Sequence, residues 1–107
     1  MKAASLPVSP SAIEPRLADA SRLLGALANG RRLMALCHLH GGEKSVGELA
    51  NLVGLAPAAL SQHLARMRAL RLVATRREGQ TIYYRVANDE VRAMLDTLHR
   101  LYCASEA

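Results

Sequence analysis

Residues 45–86 read SVGELANLVGLAPAALSQHLARMRALRLVATRREGQTIYYRV, and the fold is decided there. Ser45 with Glu48 three residues later makes a capping box that opens a short helix, with Val46, Leu49, Ala50 and Val53 turned inward. A tight turn at Gly54 to Pro57 follows, and Pro57 suits the first turn of a second helix running to about Leu70. Val73 to Arg77 and Gln80 to Val86 then alternate like strands, meeting through Arg77-Glu78-Gly79-Gln80, with Ile82, Tyr84 and Val86 on one face. Helix, turn, helix and two-stranded wing is the succession that sets a second helix in a DNA major groove.

Charge supports the same reading independently. From Ala58 to Arg85 the chain carries Arg66, Arg68, Arg71, Arg76, Arg77 and Arg85 against the single acid Glu78, while the remaining eight basic and eight acidic residues cancel. The whole formal charge of +5 therefore sits on the helix and wing that would face phosphate. Alone, such a patch is equally a solvated surface; its coincidence with the helix-turn-helix pattern points to nucleic acid.

Working outward, Ser11 with Glu14 matches another capping box, blurred by Pro15, and Ile13, Leu17, Leu24 and Leu27 predict a first helix ending near Ala28. Asn29 caps a second helix in which Leu33, Leu36, Cys37 and His40 share a face, stopped by Gly41-Gly42. After the wing, Asn88 caps a last helix with Asp89 and Glu90 in its first turn and a stripe of Val91, Met94, Leu95, Leu98, Leu101 and Tyr102. The expected class is mainly α with a two-stranded wing, a winged helix-turn-helix of five helices and two strands, the last helix following the wing. Residues 1–10 are expected to be a flexible N-terminal segment and 11–107 the DNA-binding and dimerisation domain. The first and last helices carry more apolar surface than one small core needs, which favours a homodimer presenting two reading helices to a two-fold operator site.

On the second helix of the motif, Leu60, Leu64 and Met67 point inward at i, i+4 and i+7, so Ala58, Gln62, Ala65, Arg66 and Ala69 face outward with Ser61 at the edge. Small alanines permit close approach to base edges. Gln62 suits adenine, Ser61 a base or phosphate, and Arg66 guanine or phosphate. His63 lies nearer the packed side, where a structural role and a DNA contact are both open. Arg76, Arg77 and Gln80 give the wing a short cationic tip suited to the backbone or the adjacent minor groove.

Other classes fit less well. No apolar run approaches the roughly 18 residues needed to cross a bilayer, and the first residues lack a signal-peptide core. A cytoplasmic protein with resting thiols is expected, with no membrane partner and no cofactor. A phosphate-binding loop, a nucleophile elbow and paired carboxylates are all missing, so no enzyme is expected. A winged helix that binds protein rather than DNA is the remaining alternative; it would keep its affinity at raised salt.

The order ALANGRRLMALCHL, SVGELANLVGLAPAALSQHLARMRALRLV and REGQTIYYRV resembles the ArsR/SmtB family of winged-helix repressors over about residues 17 to 103, most specifically at Leu60 to Leu64 and Gly79 to Tyr84. The resemblance implies a homodimer built on the first and last helices that binds operator DNA until an inducer releases it. It also implies that Ser61, Gln62 and His63 lie at the DNA surface. Many members sense metals. The thiolate pair of the arsenic and cadmium type would fall at Ser45 and Gly47, and the last-helix zinc ligands near Asn88, Glu90, Leu101 and Ala104, so both familiar metal sites look absent.

What remains is one cysteine on the second helix, Cys37, and one near the end of the last, Cys103. That placement resembles the branch of the family that senses reactive sulfur, persulfides and polysulfides, in which two thiols of one subunit become joined through added sulfur. Cys37 shares its face with Leu33 and Leu36, an environment that keeps a thiol protonated, while Cys103 lies about 130° from the centre of the last helix's stripe and is expected to be accessible. Arg100, one turn earlier, favours its thiolate. A peroxide-driven ordinary disulfide is a variant that needs Cα atoms within roughly 7 Å; a longer sulfur bridge spans more. A metal site of Cys37, His40, His99 and Cys103 is a second reading, and two packing cysteines a third.

Overall fold

The computed structural model describes residues 7–103. Its elements are α1 (Pro10–Ile13), a 3-10 turn (Glu14–Arg16), α2 (Leu17–Leu27), α3 (Gly30–His40), β1 (Lys44–Ser45), α4 (Val46–Val53), α5 (Pro57–Ala69), β2 (Val73–Glu78), β3 (Thr81–Val86) and α6 (Asp89–Cys103). The expected winged helix-turn-helix is present, with α4 and α5 as its two helices and α6 after the wing. Most of the N-terminal segment expected to be loose lies outside the described residues.

Three local differences have physical causes. The first helix is broken: Pro15 has no N–H to donate back to Ser11, so α1 stops at Ile13 and a 3-10 turn intervenes before α2. The cap is Ser9 rather than Ser11, its hydroxyl accepting from the Ala12 N–H at 3.4 Å ahead of Pro10 at the first helical position. The wing turn lies one residue later than expected, at Gly79-Gln80 rather than Glu78-Gly79, with Gly79 at φ +60° as its first residue. Third, a two-residue strand precedes α4, so the sheet has three strands in the order β1-β3-β2, with Lys44 opposite Tyr84 and Ser45 opposite Tyr83. In the wing Val73 pairs with Val86 and Arg76 with Tyr83.

Side-chain caps fix the other boundaries. Asn29 accepts from the Arg32 N–H at 3.0 Å, Ser45 and Glu48 form the full reciprocal box, and Asn88 accepts from the Val91 N–H at 2.8 Å. Gly54 ends α4 in the left-handed conformation at φ +71°, which a residue with a Cβ adopts only under strain.

The core gathers around α3. Its Ala35, Leu36 and Leu39 are buried and meet Leu49 and Ala50 of α4, Leu60, Leu64 and Met67 of α5, Val73 and Val86 of the sheet, and Val91 and Leu95 of α6. Leu60, Leu64 and Met67 are all 0% exposed, as the spacing predicts, so α5 is held by one stripe and its opposite side is free. Leu64→Ala is expected to lower unfolding free energy by about 2–5 kcal/mol. Urea denaturation measures it, and a loss below about 1 kcal/mol would mean that this stripe does not anchor α5.

Candidate nucleic-acid interface and thiol pair

The outward face of α5 carries the residues expected there. Ala58, Ser61, Gln62, Ala65, Arg66 and Ala69 are exposed, whereas His63 is half-buried, in keeping with its position toward the packed side. Gln62 and Arg66 sit one turn apart on this face, so an amide and a guanidinium can enter the same groove. The helix starts on Pro57 with no side-chain cap.

On the wing the three predicted residues separate. Arg77 and Gln80 stand exposed at or beside the turn, with Arg77 Nε donating to the Gly79 carbonyl at 3.1 Å. Arg76 is different. Its Nε and Nη2 donate to Glu43 Oε1 at 2.7 and 2.6 Å, its Nη1 to Glu78 Oε1 at 2.9 Å, and its guanidinium lies 4.7 Å from the Tyr83 ring centre. A cation held by two carboxylates and an aromatic face is not a free phosphate contact. Arg76, though exposed, is thus tied to Glu43 and Glu78 at the base of the wing in this structure. Sequence reading missed Glu43, whose partner lies far along the chain and gives no local signal.

Cys37 also departs from expectation. Helix α3 buries Ala35, Leu36 and Leu39, leaving Cys37 exposed on the other side and Leu33 half-buried. Cys103, at the end of α6, is half-buried. Helices α3 and α6 pack together, and the Cys37 thiol is pushed up from its ordinary value first by partial burial and then by the charge of Cys103. His40 Nε2 lies 3.0 Å from Asp96 Oδ1, a second tie between the same two helices. Arg100 Nη2 donates to the Thr97 hydroxyl at 3.2 Å. The alternative metal site is not assembled: among the described residues no group of three or more His, Cys, Asp or Glu side chains could hold a metal ion, and His40 is taken by Asp96.

Apolar side chains remain uncovered on the two outer helical segments. Ile13, Leu17 and Leu24 on one and Leu101 and Tyr102 on the other are exposed, Tyr102 at 78%. A groove of about 410 Å³ between α2, the end of α5 and the start of α6 adjoins this surface, lined in part by the half-buried Leu23 and Leu70. No helix among the described residues is long and apolar enough to cross a membrane.

Comparison with known proteins agrees with this geometry. Residues 29–75 match the family model described as bacterial regulatory protein, arsR family. The transcriptional activator HlyU of Vibrio cholerae is 50% identical over 97 residues, covering 91% of this chain and 90% of that protein. The structure of reduced HlyU from that organism aligns with TM-score 0.81 at 50% identity, over 87% of this chain and 98% of that one. The transcriptional repressor BigR from Xylella fastidiosa aligns at TM-score 0.84 and 33% identity, over 90% and 98%. The homodimeric winged helix-turn-helix DNA-binding domain Mb0332 of Mycobacterium bovis aligns at 0.75 and 32%, over 91% and 89%. These are regulators of transcription and not enzymes.

The Glu43–Arg76 pair gives a pH signature. The hydrogen bond from Arg76 is the main cause holding the Glu43 carboxyl below its ordinary value of 4.5. A carboxylate depressed in this way contributes stability above the unfolded value and loses it as pH falls through the lower folded value. Wild type is expected to unfold at higher temperature than Glu43→Gln at pH 7, the gap closing as pH drops below 4.5. Superimposable melting curves at pH 7 would show the pair to be a spectator.

Proposed function

The chain belongs to the arsR family of bacterial regulatory proteins, and from that premise we propose that it is a homodimeric, cytoplasmic transcriptional repressor released from operator DNA when reactive sulfur joins Cys37 to Cys103. Its DNA contacts are Ser61, Gln62 and Arg66 on α5, His63 at the edge of that face, and Arg77 and Gln80 on the wing. The exposed Leu17, Leu24, Leu101 and Tyr102 support a partner subunit across α2 and α6, and the related Mb0332 domain is itself homodimeric. Two-fold symmetry then sets two α5 helices against successive major grooves.

The observation that carries the inducer reading is that the two cysteines, 66 positions apart in the chain, lie on helices that pack against each other, Cys37 exposed on α3 and Cys103 half-buried at the end of α6. The chemistry balances with a low-molecular-weight persulfide, RSSH, as oxidant. A cysteine thiolate attacks the outer sulfur of RSSH, the S–S bond breaks, and RSH leaves to give Cys–SSH. The second thiolate attacks the inner sulfur of that group and expels hydrosulfide, leaving a disulfide. If both cysteines are first converted, one persulfide attacks the other, and a trisulfide forms with loss of one hydrosulfide. In each case two electrons pass from the cysteines to sulfane sulfur. A trisulfide spans a wider gap than a disulfide, which suits thiols held by separate helices.

A linkage there ties the last turn of α6, beside the uncovered Leu101 and Tyr102, to α3. It therefore acts on the dimer surface and on the spacing of the two reading helices. Cys37, whose pKa is raised first by partial burial, holds less thiolate than an unperturbed cysteine and so is the weaker attacking thiol for it.

Two predictions test the DNA and sulfur parts separately. In titrations over several sequences and salt concentrations, Gln62→Ala is expected to flatten discrimination among sequences. Arg77→Ala is expected to weaken binding to all DNA and reduce the salt slope by about 1. Unchanged affinity and preference in Gln62→Ala would overturn the assignment of α5 as the reading head. Treatment with a persulfide donor is expected to add bridging sulfur by mass and abolish operator binding, while zinc leaves the thiol mass and the affinity unchanged. Cys103→Ser should stay bound under the donor, and its release would defeat the two-thiol scheme.

A further inference from the structure

Helix α3 bears Cys37 and ends at His40, and the chain then leaves it through a stiff connection. The Gly41 N–H donates to the His38 carbonyl and the Gly42 N–H to the Leu39 carbonyl at 3.2 and 3.1 Å, closing the helix end. Gly42 has φ +147°, a conformation that side-chain-bearing residues rarely adopt, and Lys44 Nζ reaches back to its carbonyl at 3.3 Å. Lys44 and Ser45 then pair with β3. Between these fixed points stands Glu43, three residues past His40 and six past Cys37. Its carboxylate takes Arg76 through two donors, and Arg76 in turn lies on Tyr83, its cross-strand partner in the wing.

This places an ionic joint between the end of the thiol-bearing helix and the wing. We infer that Glu43 is a positioning residue: through Arg76 it sets the wing, and with it Arg77 and Gln80, relative to α3, and so passes the state of the Cys37–Cys103 pair to the DNA. The inference rests on the functional reading above and deepens its regulation. On the opposite side of the same turn His40 Nε2 lies 3.0 Å from Asp96 Oδ1 of α6, an ion pair when the imidazole carries a proton. A shift of α6 against α3 then has a short route to the wing, along the three exposed residues 41–43 and across the Glu43–Arg76 ion pair.

The test compares operator affinity of the reduced and sulfur-bridged forms, bridging verified by mass, in wild type, Glu43→Gln, Arg77→Ala and the double variant. Glu43→Gln is expected to form the bridge as wild type does, yet lose affinity on bridging by a factor at least fivefold smaller, the lower end of ordinary coupling between sites. In the Arg77→Ala background the Glu43 substitution is expected to leave that factor unchanged, because the joint acts through the wing tip. The swapped pair Glu43→Arg with Arg76→Glu should recover the coupling, a result that a merely structural loop would not give. If wild type releases DNA on bridging and Glu43→Gln releases it by the same factor, the joint is refuted and the sensor stands. If bridged wild type keeps its full affinity, the functional reading falls and takes the joint with it.

Discussion

The buried face of α3, made by Ala35, Leu36 and Leu39, is the constraint on which the rest of the molecule depends. Helices α2, α4 and α6 and strand β3 all pack on α3, so its orientation sets theirs. Burying three such side chains contributes a few kcal/mol, comparable to the whole stability of a small domain. The residues on the other side of α3 follow from that burial. Because Ala35, Leu36 and Leu39 turn inward, Cys37 must turn outward. The same rule, applied to Leu60, Leu64 and Met67, leaves Gln62 and Arg66 facing solvent on α5.

The parts of the fold legible in the sequence were those with short-range causes. Capping residues Asn29, Ser45 and Asn88 act within three positions, and the i, i+4, i+7 spacing of α5 survives folding because one stripe is enough to bury it. Strand β1 was not legible, since two residues show no alternation and pair only because β3 offers an open edge. At the start of the chain the capping pattern at Ser11 and Glu14 competes with the effect of Pro15 four residues on from Ser11. The missing N–H wins, and the cap moves to Ser9.

Site legibility divides along the same line. The outward face of α5 is a matter of angle alone, and angle is carried by sequence. Whether a cation is available to DNA depends on what else can reach it. Arg77 stays at the tip, whereas Arg76 meets Glu43, a partner from before the motif, in an ion pair on the surface. Cys37 shows the converse error: grouping it with Leu33 and Leu36 gave it an apolar face, but Leu39 rather than Cys37 completes the buried stripe. The pairing of His40 with Asp96 removed a ligand from the imagined metal site in the same way. Each of these side chains was assigned by its neighbours in order and reassigned by its neighbours in space.

In the proposed function, sensing and reading are joined by packing rather than by a shared pocket. Thiols at the seam of α3 and α6 adjoin the surface offered to a second subunit, while the end of α3 adjoins the wing. The account stands on those thiols being within reach of one another inside a single subunit. A short bifunctional thiol reagent that fluoresces only when both arms have reacted measures this directly, with peptide mass mapping and operator binding on the same sample. The account predicts fluorescence, one reagent spanning Cys37 and Cys103 of the same chain, and loss of operator binding. Two separate single-arm adducts, or a spanned pair that still holds the operator as tightly as the reduced protein, would contradict it.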